Sequence, residues 1–384
     1  MKSIFLTIFG NMIIPILKIL SLFIKFKFCH LHTTRIGHLT INFDVALISD
    51  SKSSFILFSH DNNVANKYIL NFFKKQKKVL FLSIFKYFYF SVSHINPSSN
   101  LIINWNKFQP KFSFHLKNES RIIFPHNTKK KLEKLLDKYQ INKEFVGLHS
   151  RNNLYLKKNM IQDDNFHDFR NFDFNDYKLA IKYLDNKNIS LIKLGETFVE
   201  ENINSTNPKI FTSLDFKSNQ EIDYLLNAHA KYNVIGNSGI SGISSIHRKK
   251  IIYINLIPLN LDNLSYCSPG SLILPKKIFD TKKKKFLSFR ENNKINFNIH
   301  QITDPYEKHN LSVIDNSPEE ILDAVIEMEE MILGNNNNND ENIRLNDLFW
   351  ISLSDNNYDK INYLKNDLKL SISSNFLRKN QHLF

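Results

Sequence analysis

The chain has 384 residues, 51 Lys and Arg against 37 Asp and Glu, nine Gly and two Cys. That length suits one large domain or, the favoured reading, two ordinary ones, and 42% hydrophobic residues with 33 Phe exclude a wholly disordered chain. Cys29 and Cys267 are too few for a disulfide framework or a Cys-based zinc site, which points to a reducing compartment. The formal charge of +14 predicts attraction to anions without choosing among phosphorylated metabolites, nucleic acid and anionic membrane. Lysine runs such as Lys129 to Lys131 and Lys282 to Lys285 read as solvated surface.

In chain order, the first element is apolar. Ile4 to Ile24 is flanked by Lys2, Lys25 and Lys27, interrupted by Pro15 and Lys18, and no acidic residue precedes Asp44. Residues 1–25 are predicted as a basic apolar helix. It could lie on an anionic membrane face, dock on the fold or anchor the chain by one span, but it lacks a convincing signal-peptide cleavage site.

Phe26 to His32 then reads as a strand, Thr33 to His38 as a loop and Leu39 to Ile48 as a helix. Ser54 to Phe58, Val64 to Phe73 and Lys78 to Ile84 read as strand, helix and strand. An irregular region with Pro97 and Pro110 runs to Pro125, where the boundary between domains is placed.

Beyond it, Thr128 to Tyr139 is an amphipathic helix, Phe145 to His149 a strand, and Phe174 to Leu184 a helix with Asp173 as cap. Ile189 to Leu194 is a strand. Ser218 and Glu221 form a capping-box pattern ahead of a helix through Ala230. Strands follow at Tyr232 to Ile235 and Ile251 to Leu256. Ser317-Pro318-Glu319-Glu320 opens a helix to about Ile332. Gly334 and Asn335 to Asn339 read as a polar linker, and residues 335–384 as linker and C-terminal tail with apolar clusters around Trp350 and Phe376. The alternation predicts an α/β chain with two Rossmann-like domains, 26–125 and 126–334, facing a cleft, with ligands at the carboxyl ends of the strands.

Glycine is scarce, so Gly236-Asn237-Ser238-Gly239-Ile240-Ser241-Gly242 stands out. It follows a strand and precedes a predicted helix. Backbone amides there, with the hydroxyls of Ser238 and Ser241, suit an anion, although neither the Walker nor the dinucleotide spacing is met. The competing reading is a tight strand–helix turn. Gly147-Leu148-His149-Ser150-Arg151-Asn152 is the second motif. His149 and Arg151 share a face in extended chain, and Arg offers bidentate recognition of phosphate oxygens. Alternatively, Arg151 pairs with Asp163, Asp164 or Asp168 and His149 belongs to the core. The third is Thr33-Thr34-Arg35-Ile36-Gly37-His38-Leu39, where Gly37 gives the turn, Arg35 and His38 project, and His38 is a candidate general base; otherwise it is a structural turn with a surface histidine. No Asp-x-Asp triplet occurs, so metal-held diphosphate is not expected. His30-Leu31-His32 gives a slight metal hint, with strand packing the plainer reading.

These motifs in order, with Arg170-Asn171 before a helix and a tail at Phe376-Leu377-Arg378-Lys379-Asn380, resemble a family of bacterial glycosyltransferases found beside surface-polysaccharide genes. The His149-x-Arg151 element is also similar to the strand-end motif of O-fucosyltransferase-like enzymes, which have the GT-B fold. The resemblance spans nearly the whole chain, and its specificity lies in order and spacing. It implies a metal-independent transfer of a hexosyl or deoxyhexosyl group, with inversion, from a nucleotide sugar to a hydroxyl on a glycan or lipid-linked glycan. His149, Arg151, Gly236, Asn237, Ser238, Gly239 and Ser241 would lie by the donor, Arg35, Gly37 and His38 on the acceptor side, and His38 or Asp44 would take the proton. The expected place is the cytoplasm, with residues 1–25 on the inner membrane. No cofactor and no nucleic acid is expected. A non-catalytic nucleotide-sugar or glycan-binding module, and a basic nucleic-acid-associated protein, are the alternatives.

Overall fold

A computed structural model describes residues 2–49, 53–104, 116–152, 167–195, 210–213, 215–216, 219–295, 297, 306–335, 339–355 and 357–384. The chain forms two compact units, residues 1–127 with 245–247, and residues 128–244 with 248–384. Both carry parallel sheets, so the α/β class follows from the strand–helix alternation as expected.

In the first unit, the apolar N-terminal segment is helix α1 (Lys2–Phe23), with Pro15 inside it. Then come β1 (Phe26–Leu31), α2 (Ile36–Ser49), β2 (Phe55–His60), α3 (Lys67–Phe73), β3 (Val79–Phe81) and α4 (Phe85–Ile95). The strands form a parallel sheet in the order β1-β2-β3. Asn66 caps α3 by accepting from the Ile69 amide, so the helix starts later than the apolar pattern. Helix α4 was not legible. Its run of Phe, Tyr, Val and Ile mimics a strand and lacks a side-chain cap. It buries Tyr89 and Val92 against Phe28, Leu101, Ile102 and Leu17 of α1.

The second unit holds a seven-stranded sheet in the order β13-β9-β8-β7-β4-β5-β6, whose recorded pairings are parallel. Its elements begin with α5 (Thr128–Tyr139), β4 (Phe145–His149), α6 (Lys178–Asn186), β5 (Ser190–Lys193), β6 (Ile210–Phe211) and α7 (Gln220–His229). The first turn of the predicted α6 helix is a 3-10 turn, Phe174–Tyr177, capped by Asp173. Asn219, not Ser218, caps α7, accepting from the amides of Glu221 and Ile222; Ser218 lies outside the described residues.

The unit continues with β7 (Asn233–Gly236), α8 (Ser241–Ile246), β8 (Ile251–Leu256), α9 (Leu261–Leu264), β9 (Leu272–Pro275), β10 (Lys277–Asp280), β11 (Lys285–Phe286), α10 (Phe289–Asn293) and β12 (Leu311–Ile314). Strands β11, β10 and β12 make a small antiparallel sheet. Helix α11 (Pro318–Ile332) has the full capping box of Ser317 and Glu320. Residues 335–384, read as linker and tail, supply α12 (Asp340–Ser352), α13 (Tyr358–Asn362), β13 (Ser371–Ile372) and α14 (Ser374–Lys379). They belong to the second unit. Strand β13 pairs with β9, and Glu327 of α11 accepts from the Ser373 hydroxyl and the Ser374 amide.

Candidate functional site

Helix α2 begins at Ile36, so Gly37 and His38 are its first turn and not a loop. The Leu39 amide donates to Arg35 O at 3.0 Å, and the Thr40 hydroxyl donates to Ile36 O at 2.8 Å. With nothing to break it, the helix starts one turn early. Gly37 is buried, His38 exposed and Arg35 half-buried. Asp44 lies in the middle of α2, almost wholly buried, and accepts from the Ser120 hydroxyl at 2.5 Å. That hydrogen bond ties Asp44 to a residue outside α2.

The second unit gathers its polar groups at the carboxyl ends of β4, β5 and β7. His149 ends β4, and Lys193 ends β5. The His149 ring lies beside Gly195 and the Ile240 side chain. Gly195 has φ of +86°, which lets the chain turn past the ring without a side chain. Burial first, then the cations of Lys193 and Arg151, push the His149 pKa down to about 3. His149 is therefore a neutral hydrogen-bonding group at working pH. Its Nδ1 is buried with no hydrogen-bond partner among the described residues.

Arg151 donates from Nη1 to His167 O at 2.8 Å and to Asn171 Oδ1. Asn171 in turn donates to Asp168 Oδ1 at 3.1 Å. Of the three carboxylates considered for Arg151, Asp168 thus stands one amide away, while Asp163 and Asp164 lie outside the described residues. The neighbouring Arg170 forks onto Asn237 O, from Nε at 3.1 Å and Nη2 at 2.5 Å. Arg151 and the glycine-rich turn are therefore tied to consecutive residues of one loop.

The turn itself is held by close packing and local hydrogen bonds. A Cβ on Gly236 would stand 2.2 Å from Phe172 Cε1, so this glycine serves close packing. Asn237 is a clamp, accepting from Arg170 and donating from Nδ2 to Ile257 O at 2.5 Å. The Ser241 amide and hydroxyl both bond Ser238 O, at 3.3 and 2.9 Å, so Ser241 braces the turn from within. The amides of Ser238, Gly239 and Ile240 donate to nothing among the described residues, and Gly239 is exposed. Amides left unbonded ahead of a helix are groups of the kind that can receive an anion.

Sequence reasoning missed the groups beneath and beside this turn. Asn233 Nδ2 donates to Ser244 Oγ at 2.8 Å and to Asn227 O at 3.1 Å. Ser244 donates to Asn227 Oδ1 at 2.6 Å, and Asn227 Nδ2 to Ile240 O at 3.2 Å. Two buried Asn in otherwise apolar elements were the available signal. Lys193 and Lys276 were missed too. Burial pulls the Lys193 pKa down to about 8. Lys276 Nζ is buried, donates to Asn171 O at 2.8 Å and pairs with Asp315 at 2.6 Å. Its pKa is lowered, first by burial and in part by the positive charge of Arg151.

Comparison with known proteins finds no matching family model and no matching curated protein. Solved structures do match. The ADP-heptose LPS heptosyltransferase II of E. coli is 9% identical over 65% of this chain and 90% of its own, with a TM-score of 0.37. E. coli heptosyltransferase WaaC, solved with ADP, is 10% identical over 65% and 90%, with a TM-score of 0.36. The iron-containing dodecameric glycosyltransferase TibC from enterotoxigenic E. coli H10407 is 12% identical over 61% of this chain and 59% of its own, with a TM-score of 0.35. The structures this chain resembles are glycosyltransferases. Likeness at this level brings no donor, acceptor or metal with it, and the chain spans less than two thirds of TibC.

Proposed function

We propose that the protein is a GT-B-type glycosyltransferase that moves a sugar from a nucleotide diphosphate donor to an acceptor hydroxyl in surface glycan synthesis. The observation that carries the reading is the grouping of Arg151, Lys193 and Lys276 around His149 and Asn171, with the unbonded amides of Ser238, Gly239 and Ile240 nearby. Fixed cations and amides at parallel strand ends suit a diphosphate. During transfer the bond from the anomeric carbon to the phosphate oxygen breaks, and the acceptor oxygen takes its place. Arg151 and the amides stabilise the negative charge that grows on the departing diphosphate. Neutral His149 hydrogen-bonds the donor without adding charge. His38, exposed in the first turn of α2, is the candidate base, favoured over buried Asp44. Transfer is proposed to invert the anomeric centre, to carry a hexosyl or deoxyhexosyl group and to hold the diphosphate without metal.

The test is thermal-shift screening with UDP, GDP, CMP, ADP and their sugars. A responding diphosphate at a hundredfold excess over its Kd adds about 2.7 kcal/mol, a rise of several degrees. Arg151→Ala should abolish that rise. A panel with no response, or the same response in the variant, overturns the reading. Tight binding without transfer would leave a nucleotide-sugar-binding module.

A further inference from the structure

The first unit carries a second cluster, independent of the donor reading. Strands β1 and β2 are parallel and in register, with His30 opposite Ser59 and Leu31 opposite His60. One step further, that register sets His32 beside Asp61. His30 and His32 lie two residues apart and so share one face. The His30 Nε2 atom is 3.1 Å from Asp61 Oδ1, and the His32 Nδ1 atom is 3.6 Å from Asp61 Oδ2. All three donor atoms lie within 4.8 Å of one another.

We propose that His30, His32 and Asp61 form a binding site for a divalent transition metal of the zinc class. Zinc bonds of about 2.0–2.1 Å in tetrahedral geometry place neighbouring donor atoms about 3.4 Å apart, within the 4.8 Å that bounds one donor atom from each of the three residues here. Two imidazoles and a carboxylate are a donor set that zinc accepts with a fourth position left open. The cluster is closed on one side and open on the other. His30 is 5% exposed, whereas the side chain of His32 is 49% exposed and that of Asp61 27%.

An outer shell is already in place. His30 Nδ1 is 2.9 Å from Ser59 Oγ, and the Thr33 amide donates to Asp61 Oδ2 at 3.0 Å. The Thr33 hydroxyl further donates to Asp61 O at 3.3 Å and Asn63 O at 2.9 Å, fixing the segment that carries the carboxylate. Without metal, His30 Nε2–H donates to Asp61 and Nδ1 accepts from Ser59. With metal, Nε2 gives its lone pair to the ion and Nδ1–H donates to Ser59 Oγ, because a hydroxyl serves in either direction. The site needs a change of tautomer and no rebuilding of the backbone.

Calorimetric titration of the chelator-treated full chain with zinc chloride tests this, with cobalt(II) visible absorption as the report of coordination. One ion should bind per chain in wild type, with the intense absorption of four-coordinate cobalt. His32→Ala and Asp61→Asn should each weaken binding by about tenfold or more, as should Ser59→Ala through the outer shell. His32 is exposed enough for its variant to fold, and an unchanged melting temperature without metal would verify that. Absence of uptake by wild type, or isotherms unaltered in both His32→Ala and Asp61→Asn, overturns the proposal. Nucleotide responses of the second unit are read separately, so failure of one site does not bear on the other.

Discussion

At the residue scale, Gly236 is set by packing. The Phe172 ring fills the space where a Cβ would go, and that ring also meets Tyr177 edge-on at 5.9 Å. Gly236→Ala should cost about 1–3 kcal/mol by overpacking, seen as a lower urea midpoint, with nucleotide affinity lost in step as the turn shifts. Asp176 gives a pH signature. Burial first, then Asp315 and Asp173, push its carboxyl up from 3.8 to about 6. A carboxyl raised by folding favours the native state while protonated, and that contribution is lost as pH rises from about 4 through 6. Asp176→Asn should therefore raise the melting temperature at pH 7.5 and leave it nearly unchanged below pH 4. A uniform gain at both values would contradict the assignment.

At the element scale, α1 has two faces with different fates. Ile13, Ile14 and Leu17 pack into the core of the first unit, and a Cβ on Gly10 would stand 2.4 Å from Ile95 Cδ1 of α4. The other side exposes Ile4, Ile8, Met12, Ile16 and Ile19, and α4 adds Tyr87 and Phe90. By length and composition, Ile4–Phe23 could cross a bilayer. We propose instead that this apolar face, flanked by the exposed Lys18 and Lys25, lies in the interface of an anionic membrane. Ile8→Glu with Ile19→Glu should abolish cosedimentation with anionic liposomes, while high salt should only weaken it. Retained binding in the double variant would rule this face out.

At the scale of the whole molecule, the elements written most plainly in the sequence were those with local signals. Thr128–Tyr139, Phe145–His149, Ile251–Leu256 and the capped helix from Pro318 carry period, β-branching or a capping box within a few residues. Elements whose identity comes from distant partners were hidden. Strand β13 is two residues long and gains its meaning from β9, about a hundred residues away. Helix α4 looks like a strand until Phe28 and Leu17 cover it. The candidate site divides the same way. Arg151, His149 and the glycine turn announce themselves, whereas Lys193, Lys276, Asn227 and Asn233 matter through neighbours that the fold supplies. Asp44, read as a candidate proton acceptor, is buried and bonds the Ser120 hydroxyl, a neighbour that only the fold supplies.

The segment from Arg170 to Asp173 gives every position a separate employment. Arg170 grips Asn237, Asn171 holds Arg151 and Lys276, Phe172 fills the slot at Gly236, and Asp173 starts the next helical turn. Surface connections ordinarily absorb insertions and deletions with little harm. Here one added or removed residue would shift all of these partners out of step together, so this short stretch should tolerate no change of length.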